Sequence, residues 1–218
     1  MIKTDAQLQH DVIDELRWDP RVGSAEIGVA AKNGVVTLSG QVDSYAKKYA
    51  AVRAAERVAG VRAIAEDIKV ELLVSFKKTN TDLAHTVAST LKWDVQVPDD
   101  KVKARVDDGW VWLEGEVDWQ YQAAAAERAV RNLSGIRGVS NLIQVKPHAS
   151  VPDVKQRIEG ALKRHAELDS KQILVEAMDG KVILRGKVRS WTERRDAETA
   201  AWAAPGVTNV EDELLVQV

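Results

Sequence analysis

Two tryptophans and two cations lie close together in the middle third of the chain and could bind an amphipathic ligand. Lys103 and Arg105 fall on one predicted strand, and Trp110 and Trp112 fall on the next. Residues two apart on a strand point to the same face, so all four side chains are predicted to share one face of a sheet. Indoles favour the boundary between acyl chains and headgroups, and cations attract phosphate. This pattern predicts a site for phospholipid or another amphipathic molecule.

The elements that would position this site occur three times along the 218-residue chain. The run 33–40 recurs as 108–115 and as 179–186, at offsets of 75 and then 71 residues. Because the registers hold over about 65 residues each, they indicate tandem domains of similar structure. The three repeats are predicted at residues 1–73, 79–147 and 150–218.

Each repeat is predicted to begin with a helix and a hairpin. In repeat 1, an apolar residue at every fourth position from Leu8 to Leu16 predicts the helix. Alternation from Ile27 to Ala31 predicts a strand with one buried face. Asn33-Gly34 then predicts a tight turn, because both central positions of a type I′ turn need positive φ. An Asp-Gly pair takes that place in the other two repeats.

The second half of each repeat is predicted to complete an α+β fold. Val36 and Leu38 mark the buried face of a second strand. An alanine-rich segment near residues 43–59 predicts a helix that lies close to the sheet, and a third strand follows at Ile68 and Val70. The order predicts three tandem αββαβ repeats, each a three-stranded sheet with two helices on one face.

Glycines stand at three fixed places in every repeat and are predicted to be structural. One belongs to the hairpin turn, one follows the buried leucine of the second strand, and one ends the second helix. These nine residues are Gly34, Gly40, Gly60, Gly109, Gly115, Gly135, Gly180, Gly186 and Gly206.

The sheet face that carries no helix is where the repeats differ, and it leaves two interpretations of the tryptophan pair. A tryptophan buries about 150–250 Å² when packed, so two of them in water would form a patch typical of an interaction site. Trp110 and Trp112 either contact a ligand or pack against another repeat or subunit. The smooth outward face of repeat 1, with Gly28, Ala30 and Val35, is the natural partner for such packing.

The remaining tryptophans are assigned mainly to packing. Trp18 and Trp93 share one position just after the first helix, and a shared position predicts a structural role. Trp119 and Trp191 lie at the start of the second helix, where each would act as a staple or touch a neighbouring repeat. Trp202 aligns with polar residues and is predicted to be an interface residue.

The N-G-V-V-x-L-x-G run of residues 33–40, the alanine-rich helix and the closing Gly-Val resemble the BON domain, named for bacterial osmotic-shock and nodulation proteins. The resemblance covers essentially the whole chain, three times. It implies an αββαβ fold and a role in binding phospholipid membranes or other ligands. It implies no catalytic residues, and many members are exported to the bacterial envelope.

Composition argues against several other functions. The chain has 31 Lys and Arg against 33 Asp and Glu, so nucleic acid is not an expected partner. It has no cysteine, and no second histidine lies at i+4 from His10 or His85, so neither a metal nor a cofactor is expected. The cations between Arg185 and Arg195 are predicted to be offset by Glu193 and Asp196, with headgroup attraction as the alternative. Familiar catalytic motifs are missing from the sequence, so we expect no enzymatic activity.

The N-terminal segment has no continuous apolar stretch, and no apolar run reaches 18 residues. The sequence as written therefore predicts a cytoplasmic protein, or a periplasmic or envelope protein if the N-terminus is a processed or truncated form.

Two functional hypotheses remain. In the first, the repeats are non-enzymatic modules that bind a phospholipid surface or another amphipathic ligand during bacterial envelope or osmotic stress. In the second, the chain is a homo-oligomeric assembly protein, whose subunits enclose a passage for the transport of small solutes.

Overall fold

The computed structural model describes residues 3–23, 27–73, 78–146, 154–164 and 172–216. Within them, the order helix, strand, strand, helix, strand occurs three times, which confirms the predicted α+β fold of tandem repeats. The elements are α1 (Asp5–Trp18), β1 (Ile27–Lys32), β2 (Val35–Val42), α2 (Tyr45–Arg57), β3 (Ala63–Val70), α3 (Asn80–Trp93), β4 (Val102–Asp107), β5 (Trp110–Val117), α4 (Gln120–Arg131), β6 (Gly138–Val145), α5 (Val154–Arg164), β7 (Ile173–Met178), β8 (Lys181–Val188), α6 (Trp191–Trp202) and β9 (Asn209–Val216).

Each repeat has its own three-stranded sheet, with the second strand in the middle. β1 and β2 are joined by a two-residue turn and run antiparallel. β3 runs parallel to β2, because α2 carries the chain back to the starting edge before β3 begins. The other two sheets have the same arrangement.

The three hairpin turns have the backbone geometry of type I′. Asn33, Asp108 and Asp179 have φ of 52°, 42° and 49°, and the glycine after each has φ between 77° and 81°. Asparagine and aspartate tolerate the left-handed region better than other residues with a Cβ, and glycine adopts it freely. The turns fix the register, so that the outward face of each second strand is set by its hairpin.

Each repeat has one hydrophobic core between its sheet and its two helices. Leu38, Leu113 and Leu184 lie at the centres of these cores with no exposed surface. The connector residues Val22 and Val97 are also buried. Leu168, the corresponding residue predicted for repeat 3, lies outside the described residues.

The second helix lies close to its sheet, as its small residues predict. Ala51, Ala54 and Ala55 are completely buried on α2, and the equivalent positions are buried in α6 and, apart from the half-buried Ala129, in α4. Alanine at these contacts brings the helix backbone near the strands, while the opposite side of the helix stays available. Repeat 1 uses that side to contact both of its neighbours, through Tyr45 to repeat 2 and through the incoming Trp191 of repeat 3.

A buried carboxylate fixes the corner after α1. Asp19 is 5% exposed, and its side chain accepts hydrogen bonds from the Arg21 guanidinium at 2.9 and 2.7 Å and from Arg57 Nη2 at 2.9 Å. The Arg21 guanidinium, helped by Arg57 and opposed by burial, holds the pKa of Asp19 well below its usual range. The folded corner therefore favours the charged carboxylate form of Asp19.

The glycine of the second strand lies opposite the first residue of the first strand. Gly40 pairs with Ile27, Gly115 with Val102, and Gly186 with Ile173, two residues before the strand ends rather than at the predicted strand terminus. Gly115 has a φ of 142°, and a Cβ there would lie 2.0 Å from the carbonyl oxygen of Lys101. Both the backbone angle and the available space therefore require glycine.

We predict that Gly115→Ala destabilises the protein, because the new Cβ must displace the Lys101 carbonyl and occupy a strained angle. The expected loss is about 1–3 kcal/mol in the free energy of unfolding, measured by urea denaturation. Gly160→Ala is the control, since Gly160 lies in helix α5 with only the tip of Arg164 nearby. That change should be neutral or stabilising, and equal losses in both variants would refute the steric explanation.

We also predict that Asp19 makes repeat 1 sensitive to acid. Because the folded pKa is depressed, its contribution to stability is complete above the unfolded value of about 3.9 and is lost as pH falls below it. The stability of wild type should therefore drop more steeply below about pH 5 than that of Asp19→Asn, as measured by urea denaturation at a series of pH values. Parallel pH profiles for the two proteins would contradict this role.

Candidate functional site

The structure places the four predicted site residues on the bare face of the repeat 2 sheet. Trp110 and Trp112 alternate with the buried Val111 along β5. Arg105 lies directly across from Trp112 in the antiparallel β4–β5 pair, and Lys103 lies one pair further along. The hairpin register and the period of the strand thus bring the four residues together as the sequence predicts.

Trp110 lies along the sheet surface, seated on a glycine. Its Nε1 donates a hydrogen bond to Ser140 Oγ at 2.9 Å, and its ring covers Gly138 on the neighbouring strand β6. A Cβ at position 138 would lie 2.5 Å from the ring, so this conformation depends on the absence of a side chain there. Even in this position, Trp110 remains 40% exposed.

Trp112 is sandwiched on the same surface between an aromatic ring and a cation. The Arg105 guanidinium carbon lies 3.8 Å from the centroid of the Trp112 ring. The two indoles have centroids 6.3 Å apart and planes tilted by 41°. Cation–π contacts at exposed sites contribute about 0.5–1 kcal/mol. Arg105 therefore binds the indole within the repeat and is not held apart for a phosphate.

The resulting patch is amphipathic and partly exposed. Leu142 on β6 lies 55% exposed on the same sheet face as the two indoles. Trp110 contacts Ser140 and Gly138 of its own sheet and keeps an exposed surface in the folded chain.

The equivalent face of repeat 3 is occupied by ion pairs. Arg185 bonds to Glu176 at 2.9 Å and to Glu213 at 2.6 Å, and Lys181 lies 2.6 Å from Glu211. The cations of this face, Lys181 and Arg185, are offset by these cross-strand carboxylates. Glu193, which the sequence predicts as a partner of the nearby cations, pairs with Arg189. Neutralised cations are poor attractors for anionic headgroups, so this face does not resemble a phosphate site.

The most exposed aromatic residues lie elsewhere, at the ends of the first helices. Trp18 is 83% exposed and Trp93 is 87% exposed, and Val95, two residues after Trp93, is 99% exposed. The prediction that Trp18 and Trp93 serve as structural packing residues is therefore wrong. Their shared position reflects a surface feature that repeats 1 and 2 have in common.

The position of each tryptophan relative to the buried stripe of its helix predicts that its side chain is exposed. Trp18 follows the buried Leu16 by two residues, which turns it about 200° away from the core stripe. Trp93 has the same relation to Leu91. A residue with that phase faces water whatever its hydrophobicity, and position alone cannot distinguish a repeated core residue from a repeated surface residue.

Cations accompany these exposed indoles. Arg17 precedes Trp18 and Lys92 precedes Trp93, both in the last helical turn. Repeat 3 ends its first helix with Lys163 and Arg164 and has no tryptophan there. Each first helix therefore ends with at least one cation, and in repeats 1 and 2 the tryptophan lies between that cation and an aspartate, Asp19 or Asp94. We call the helix ends of repeats 1 and 2 the tryptophan corners.

An open groove runs beside the tryptophan corner of repeat 2. Its lining residues are His85, Thr86, Ser89, Thr90, Trp93, Asp94, Val95 and, from α4, Ala129. The lining combines small polar groups and one carboxylate, Asp94, with the apolar surface of the indole and the valine. Such a lining suits the boundary between polar headgroups and acyl chains.

Metal chemistry receives no support from the side chains of the described residues. Within that part of the chain, no cluster of three His, Asp or Glu side chains is placed to hold an ion. His10 lies 3.3 Å from Asp14 on the surface of α1, which is an ordinary helical pairing.

We predict that the bare sheet face of repeat 2 is not needed for folding. Trp110→Thr combined with Trp112→Thr should cost about 1–2 kcal/mol, because it removes cross-strand and cation–π contacts from a partly exposed surface. Leu113→Ala, at the fully buried position that follows Trp112, should cost about 2–5 kcal/mol. Urea denaturation followed by circular dichroism compares the two variants. Equal losses would mean that the indoles belong to the core.

Two curated relatives cover much of the chain. Over 129 residues it is 33% identical to osmotically-inducible protein Y of Escherichia coli K12, a match that covers 57% of this chain and 64% of that protein. Over 138 residues it is 30% identical to the outer membrane lipoprotein DolP of Haemophilus influenzae Rd, covering 62% and 71% of the two chains. The chain thus spans less than two thirds of the length of the first relative.

One solved structure also aligns along the chain. The C-terminal domain of CdsD, a structural protein of the type III secretion system of Chlamydia trachomatis, covers 99% of this chain at 12% identity. Its TM-score is 0.27, so it adds nothing on fold or function.

The relatives bear on location as well as on family. Every helix in the described part of the chain is too short or too polar to cross a bilayer. One relative is named an outer membrane lipoprotein, so the comparisons do not support the cytoplasmic location predicted from the sequence. The model of the BON domain matches residues 4–71, 79–147 and 150–218, which is nearly the whole chain. The chain therefore belongs to the BON domain family and carries three tandem copies of the domain.

Proposed function

We propose that this chain is a non-enzymatic module that binds the surface of phospholipid membranes in the bacterial envelope. The observation that carries the proposal is the exposure of Trp93 and Val95, at 87% and 99%, at the tryptophan corner of repeat 2. The fold leaves this indole in water, and its transfer to the interface of a bilayer lowers the free energy. The names of the relatives favour the envelope and osmotic stress as the setting.

The tryptophan corners suit a peripheral mode of binding. Burying one tryptophan removes about 150–250 Å² from water, which at about 25 cal/mol per Å² corresponds to roughly 4–6 kcal/mol before the cost of ordering. A cation near an anionic surface adds about 1 kcal/mol. One corner alone therefore gives weak and reversible attachment. Two corners on one chain strengthen binding when both engage the same membrane.

The tryptophan corners support this function better than the bare sheet face does. On the sheet, the Trp110 N–H is bonded to Ser140 and the Trp112 ring is covered by Arg105. Inserting those indoles into a bilayer would break contacts that the sheet already makes. Trp18 and Trp93 have little to lose, because most of their surface already faces water.

Vesicle co-sedimentation tests this proposal. Trp93→Ala combined with Val95→Ser should weaken binding to phosphatidylglycerol and phosphatidylethanolamine vesicles by about tenfold or more, equivalent to at least about 1.4 kcal/mol. Trp110→Thr combined with Trp112→Thr is the matched control, since it also changes two apolar residues. Binding should be weaker to vesicles of phosphatidylcholine alone, and weaker at high salt, because the headgroup attraction is screened.

Each outcome of this experiment has a defined meaning. Normal binding by the corner variant would refute the proposed site, and loss of binding in the sheet variant alone would move the site to the sheet face. Absence of binding by wild type to every vesicle would reject membrane binding itself. Circular dichroism of both variants verifies that each change leaves the fold intact.

A further inference from the structure

The three repeats contact one another through the outer side of their second helices, and the contact between repeats 3 and 1 shows how. Trp191, the first residue of α6, packs against the core of repeat 1, and its Nε1 donates a hydrogen bond to the carbonyl oxygen of Val61 at 2.9 Å. One turn later, Arg195 Nη1 lies 3.2 Å from Glu56 Oε2, near the end of α2. The beginning of one second helix thus docks on the end of another.

Repeats 1 and 2 are joined by the same arrangement, with different types of side chain. Tyr45, the first residue of α2, packs against the core of repeat 2. One turn later, the Tyr49 ring lies under Arg131 of α4, with the guanidinium carbon 3.7 Å from the ring centroid.

The two interfaces use equivalent residues. At the offsets of 75 and 71 that align the repeats, Tyr45 corresponds to Trp191 and Tyr49 corresponds to Arg195. On the receiving side, Glu56 corresponds to Arg131, the last residue of α4. The donating surface is therefore formed by the first turns of the second helix in one repeat. The receiving surface is the C-terminal end of the second helix in the repeat that it contacts. Repeat 3 donates to repeat 1, and repeat 1 donates to repeat 2.

Within the described residues, the head-to-tail arrangement of three repeats leaves one such surface at each end without a contact from a second helix of another repeat. The donating surface of repeat 2 holds Gln120 and Ala124, and Ala124 is exposed to solvent. The receiving surface of repeat 3 holds Trp202, which is partly exposed on the last turn of α6. The contact one turn into the helix is an ion pair in one interface and a cation over a ring in the other. A small alanine facing a large indole would be an equally complementary third pair.

We propose that the donating surface of repeat 2 binds the receiving surface of repeat 3 in a second copy of the same chain. The partner is a second copy because this chain carries both complementary surfaces, and because the same interface already occurs twice within it. In a head-to-tail interface the two sides are different, so association continues until a ring closes or an open chain grows. This inference concerns different residues from the tryptophan corners and does not depend on membrane binding.

Light scattering with size-exclusion chromatography tests the proposal on the intact chain. The mass of wild type should rise with concentration above the 24.0 kDa of one chain. Ala124→Glu places a carboxylate against the indole and should raise the dissociation constant at least tenfold. Thr81→Glu, which adds the same charge at an exposed position of α3, is the control and should associate like wild type.

Charge pairing provides a second test of the geometry. Trp202→Arg should also weaken association, whereas an equimolar mixture of Ala124→Glu and Trp202→Arg chains should recover it, because the new pair reproduces the ion pair between Arg195 and Glu56. Circular dichroism checks that Trp202→Arg is folded. If Trp202→Arg does not fold, the Ala124→Glu variant alone tests the proposal, because Ala124 is exposed. A wild type that remains at the mass of one chain, or an Ala124→Glu variant that associates like wild type, would overturn the proposal.

Discussion

The close packing of an alanine-rich helix on each sheet is the constraint on which the rest of this molecule depends. A domain of about 70 residues buries only about 60% of the surface that its unfolded chain exposes and is marginal by itself. Ala51, Ala54 and Ala55 allow the second helix to lie near the strands and fill the core without large side chains. Its opposite side is then free to carry tyrosine, arginine or tryptophan outward. Stability within a repeat and contact between repeats thus come from two sides of one helix.

The sequence was most informative where structure is local. The Asn-Gly and Asp-Gly turns, the leucine at the centre of each core and the alternation of β5 all depend on neighbours within a few residues. The structure places Trp110, Trp112, Lys103 and Arg105 on one face for that reason. The sequence could not show that Arg105 covers Trp112, because this depends on side-chain conformation across two strands.

Features set by contacts distant in sequence were harder to predict. The exposure of Trp18 and Trp93 contradicted the rule that a shared aromatic position is a packing position, although the helical phase pointed the other way. The contacts of Tyr45 and Trp191 with neighbouring repeats join positions that differ in type from one repeat to the next. Positions that hold the same type of residue in all three repeats identify the core. An interface between repeats can use different types of residue in each copy while it keeps the same geometry.

The contact between Trp110 and Gly138 makes two positions on neighbouring strands depend on each other. The residue facing the first position of the middle strand is alanine beside Val35, asparagine beside Lys181 and glycine beside Trp110. A Cβ at position 138 would collide with the indole, so a side chain at that position and Trp110 in this conformation exclude each other. An engineer who alters one of the two residues must therefore treat the other as part of the same design choice, whereas the corresponding pairs in repeats 1 and 3 do not impose this coupling.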